Sequence, residues 1–91
     1  MNEIELLAKK SLNNVCNENN LDLPNIKKKL NLIEYLDSMI IVDLLLETEK
    51  NLEIKFGKYT PLADENTFDN IKSPLKEWSK WISFIKSRLN D

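Results

Sequence analysis

From Ile71 to the C-terminus the apolar residues fall at Ile71, Leu75, Trp78, Ile82, Ile85 and Leu89. Steps of four and three residues are the repeat of one face of an α-helix, and no strand reproduces them. A helix with so continuous an apolar stripe has to bury it against other elements. The spacing predicts a last helix opening near Asn70 or Ser73, either of which can cap it, with Pro74 tolerated in the first turn. Trp81 and Phe84 fall beside the stripe and are read as a widening of the core face.

The same repeat recurs twice upstream. From Asn2 to about Cys16, Ile4, Leu7, Ala8, Leu12 and Val15 line one side, with Glu5, Lys9 and Asn13 opposite. A further helix is expected to begin at Asp37 or Ser38, both good N-cap residues, and to run to Asn51. Between these, "NENNLDLPNIKKKLNLI" from Asn17 to Ile33 loses the pattern and reads as a long loop. Leu21, Leu23, Ile26 and Leu30 would pin it to the core, and Pro24 suits the start of a short helical turn. Gly57 and Pro61 interrupt the chain again, with a short helix expected over Leu62 to Phe68. Gly57 is the only glycine, and Leu, Lys, Glu and Asn dominate. The expectation is an all-α fold, a small four-helix bundle of three longer helices and one short one joined by long loops. A single domain would span residues 1–91.

Several chemistries are unsupported by these residues. The chain has no histidine, so Ser-His and Cys-His nucleophilic pairs cannot be built. Cys16 is the only cysteine, which excludes an internal disulfide and a Cys/His zinc site, and it is read as a core residue at the end of the first helix. Glycine-rich phosphate loops and Asp-rich calcium loops are absent. A self-contained enzyme is not expected. No apolar run approaches a membrane span, and the N-terminus lacks the basic-then-apolar order of a secretory signal. No membrane insertion and a cytoplasmic location are therefore expected.

The near-neutral net charge of −2 hides an asymmetry. Glu34, Asp37, Asp43, Glu47, Glu49 and Glu53 face a single base, Lys50, in the second long helix. The last helix region carries Lys72, Lys76, Lys80, Lys86 and Arg88 against Glu77 alone. The basic spacing is that of any solvated helix face, and nucleic-acid binding is not expected. Within the acidic helix, Ile41, Leu44, Leu45 and Leu52 gather on one side as the core face. Ser38, Met39, Val42, Leu46 and Glu49 form another stripe, edged by Asp43 and Lys50. A partly exposed Met/Val/Leu stripe rimmed by acids resembles a docking surface.

Ser38 stands at the head of that stripe. "LDSM", followed by apolar residues and an acid five positions after the serine, resembles the attachment motif of the acyl carrier proteins. The order of helix, long loop, Asp-Ser helix, second loop and last helix is similar as well, and covers most of the chain. "LDSMIIVDLLLETEKNLEI" with the later "NTFDNI" is especially similar to the D-alanyl carrier branch. Tyr35 stands where many members have glycine, and Ile40 where fatty-acid carriers commonly have an acid; both departures favour a dedicated pathway.

The resemblance implies a bundle of acyl-carrier type with a 4′-phosphopantetheine arm on Ser38, transferred from coenzyme A by a phosphopantetheinyl transferase with help from Asp37. The arm would hold an acyl or aminoacyl cargo, D-alanine or another, as a thioester. Further partners would be an adenylating ligase and a downstream acyltransferase or synthase, with the carrier itself a monomer. Met39, Val42, Asp43, Leu46 and Glu49 are the expected docking residues. The alternative is an unmodified, non-enzymatic interaction module built on a similar bundle.

Overall fold

A computed structural model describes residues 3–69 and 71–90. Among these residues four helices form in order: α1 (Glu3–Glu18), α2 (Leu32–Tyr35), α3 (Ser38–Phe56) and α4 (Trp78–Leu89). A 3₁₀ turn at Pro74–Lys76 precedes α4. Among the described residues there is no strand. The radius of gyration, 12.0 Å, matches the ~12 Å of a compact chain of this length, so the elements close on one another.

α1 packs chiefly on α3, and α4 packs on α1 and the 3₁₀ turn. Leu7, Ala8, Leu12 and Val15 of α1 meet Ile41, Leu44, Leu45 and Leu52 of α3 in one core, completed by Trp78, Trp81 and Ile85 of α4. Each fully shielded leucine contributes about 1.5–3 kcal/mol by leaving water, enough that a handful outweighs most polar terms in a bundle this small. Cys16 is fully buried at the end of α1, and Trp81 is fully buried and stacks on Phe84. The Trp81 indole N–H has no partner among the described residues.

Several boundaries differ from expectation, each for a local reason. α3 continues past Asn51 to Phe56, where Gly57 adopts φ +68° and donates its N–H to the Glu53 carbonyl. That left-handed C-terminal cap suits glycine. The last turn (Glu53, Ile54, Lys55, Phe56) is exposed, so no buried stripe announced it.

The short helix lies before α3 rather than after it. Asn31 accepts hydrogen bonds from Ile33 N (3.0 Å) and Glu34 N (3.2 Å), starting α2 inside the segment read as loop. Over Leu62–Phe68, where a helix was expected, the chain makes turns. The Asp64 carboxylate accepts from Asn66 N and Thr67 N, and the Thr67 hydroxyl donates to the Leu62 carbonyl. Side chains there take the bonds that a helix would give to its own backbone.

Asn70 and Asn2, the expected starts of the last and first helices, lie outside the described residues. Ser73 caps the 3₁₀ turn, accepting from Leu75 N at 3.1 Å, and α4 starts only at Trp78. Ile71 therefore lies before the 3₁₀ turn and α4 and is 83% exposed, not part of the core stripe. In the first long loop Leu21, Ile26 and Leu30 rest on the core as expected, whereas Leu23 is exposed.

Candidate functional site

The start of α3 is defined by one side chain. Asp37 sits in extended backbone (φ −77°, ψ 170°) and its Oδ1 accepts the Ile40 N–H at 2.9 Å, while its carbonyl accepts the Ile41 N–H at 3.0 Å. Aspartate is well suited to this role, since its charge also complements the helix dipole. With Asp37 capping, Ser38 is the first helical residue, and its side chain is left exposed. Its hydroxyl has no hydrogen-bond partner among the described residues. The N–H groups of Ser38 and Met39 precede the first intrahelical bond and point out of the helix end.

A cleft of ≈ 250 Å³ adjoins this end, lined by Ile33, Leu36, Ile41 and Phe68 together with Asp37 and Ser38. Its apolar wall joins α2, the head of α3 and the Phe68 turn. Sequence reasoning did not find Ile33, Leu36 or Phe68 as site residues. The available signals were the Asn31-x-x-Glu34 cap that creates α2 and the Asp64-x-x-Thr67 pair that sets the turn before Phe68.

Along α3, Met39 (79% exposed), Val42, Asp43 and Leu46 (58% exposed) lie on one solvent-facing side. Ile40 is half-buried against the core. Glu49, expected on the same stripe, is instead 8% exposed. Its Oε2 accepts the Leu62 N–H at 2.8 Å and the Ala63 N–H at 3.4 Å. Position 49 is four residues from Leu45 and three from Leu52, so it borders the core face, and the loop after α3 closes over it.

Glu47 is also committed. It accepts from Asn14 Nδ2 at 2.9 Å and Asn51 Nδ2 at 3.3 Å, and pairs with Lys50 at 3.5 Å. The Asn14 bond above all, aided by Lys50 and against the effect of burial, holds its carboxyl below the usual range. The exposed acids near Ser38 in the chain are Glu34, Asp37 and Asp43.

Chemically, the arrangement offers a hydroxyl at the positive end of a helix with no imidazole to activate it. It suits modification from outside, and an anion attached there would gain about 0.3–1 kcal/mol from the helix end. No helix among the described residues is long and apolar enough to cross a membrane. No protein-family model, curated protein or solved structure matches the chain.

Proposed function

We propose that this chain is an acyl or aminoacyl carrier domain of acyl-carrier type, in which Ser38 receives a 4′-phosphopantetheine arm. The observation that carries the reading is the division of labour at the start of α3. Asp37 satisfies the helix end, so the Ser38 hydroxyl is exposed and unengaged among the described residues. An N-cap serine would have its oxygen occupied by a backbone N–H.

The residues present fit the group. The Ser38 hydroxyl would be the point of attachment, the N–H groups of Ser38 and Met39 at the helix end would favour the charge of a phosphodiester, and the Asp37 carboxylate would be available to a transferase-held metal. When bound, the group supplies a terminal thiol that holds cargo as a thioester. The protein's own part is presentation. Met39, Val42 and Leu46 offer an apolar contact to a docking enzyme, and Asp43 adds charge at its rim. Holding the cargo on a tether raises its effective concentration at each docked partner. The enzymes of the reading are a phosphopantetheinyl transferase, an adenylating ligase and a downstream acyltransferase or synthase.

Incubation of the chain with coenzyme A, magnesium and a broad-specificity transferase tests it. One phosphopantetheine per chain is expected on Ser38, and none on Ser38→Ala. A Met39→Glu/Leu46→Glu variant should fold normally, since both side chains are exposed, yet load more slowly. Equal failure of the native chain and Ser38→Ala to gain mass would instead favour an unmodified interaction module.

A further inference from the structure

Glu34 of α2 lines a second, larger concavity of ≈ 850 Å³ that shares no lining residue with the Ser38 cleft. Four lysines line it: Lys29 from the first loop, Lys72 from the second, Lys76 from the 3₁₀ turn and Lys80 from α4. Glu34 and Glu77 are its acids, and Glu77 pairs only with Lys80, at 3.8 Å. Among the described residues, Lys29, Lys72 and Lys76 make no ion pair within 4 Å. Lys29 comes from far along the chain to join Lys72, Lys76 and Lys80, and Asp69, which interacts with Lys72 and Lys76, offsets only part of their charge. Concave walls focus such a field and favour an anionic occupant.

The surroundings narrow the occupant. Four backbone donors near the cleft are already used: Asp69 Oδ1 accepts from Ile71 N (2.7 Å) and Lys72 N (3.0 Å), Ser73 Oγ accepts from Leu75 N, and the Lys28 carbonyl accepts from Ser79 N (3.0 Å). The lysines are separated, flexible point charges in a wide space, suited to several spaced carboxylates rather than one phosphate. The exposed Ile71 in the wall adds an apolar contact.

We propose that this lysine-lined cleft docks an acidic segment of a partner protein. It is a second contact surface, distinct from the Met39/Val42/Leu46 face, and it does not depend on modification of Ser38.

The test uses the full chain, isotope-labelled, titrated with a fluorescent peptide of repeating Glu-Glu-Leu. Amide shifts should cluster at Lys29, Ile71, Lys72, Lys76 and Lys80, and binding should weaken steeply with salt. Lys72→Glu/Lys76→Glu should lower affinity about tenfold. Lys9→Glu/Lys10→Glu, with the same change in net charge, should stay near the native value, as should Ser38→Ala. Circular dichroism checks that each variant folds. Shifts elsewhere, no binding at low salt, equal weakening by both lysine pairs, or displacement of the peptide by less pyrophosphate or duplex DNA than unlabelled peptide would overturn the proposal.

Discussion

The Glu49 carboxylate holds the loop after α3 by accepting two of its backbone N–H groups, one of them on the fully buried Leu62. Glu49→Ala strands that N–H away from water, and the expected loss is about 1–3 kcal/mol in urea denaturation. Glu49→Gln keeps an acceptor and should lose less. Because Glu49 faces the loop and not solvent, either variant should load at Ser38 to the native extent while folded, unlike Met39→Glu/Leu46→Glu. Ser38 and Asp37 were legible in the sequence, since capping and exposure at a helix start follow from local chemistry. Glu49 was not. Its position between the core and solvent faces of α3 leaves both sides open, and a loop from far along the chain decides. Arg88 and Asp64 behave similarly: they form an ion pair across the molecule that no local pattern announces.

Between elements, α1 and α3 are joined by polar bonds at the rim of their apolar seam. Asn14 and Asn51 both donate to Glu47, and Asn51 also donates to the Ser11 hydroxyl at 2.9 Å. Glu47 is held below the usual carboxylate range, chiefly by Asn14. A depressed folded pKa contributes stability above the unfolded value, and that contribution is lost as pH falls through the folded one. Asn14→Ala should therefore destabilise by about 1 kcal/mol near neutral pH. The difference from the native chain should shrink as pH drops below the ordinary value of 4.5, as read by denaturation at several pH values. A constant difference across that range would mean that Asn14 acts by packing alone. α1, α3 and α4 were legible because each buries a stripe long enough to show a period. α2 is about one turn and shows none, and the Asp64–Phe68 turns imitate the start of a helix with the same cap chemistry. Ile71 kept the helical register without being helical, because Pro74 and the Ser73 cap set a 3₁₀ turn between it and α4.

For the whole molecule, the all-helical class followed from three apolar stripes and one glycine, whereas the surface layout did not. Seen linearly, the acids belong to one helix and the bases to another. In three dimensions two of the acids are tied up internally, and Lys29 of the first loop joins Lys72, Lys76 and Lys80 at one cleft. A chain this small spends its interior on one core and leaves function to its surface. The proposed carrier role uses that surface by presenting Ser38, Met39, Val42 and Leu46 at one end of α3. Intact-mass spectrometry of the chain isolated from the cells that make it, with fragmentation of the peptide containing Ser38, addresses this most directly. One phosphopantetheine on Ser38 is the expected result; a chain unmodified throughout, or carrying the group on another residue, contradicts it.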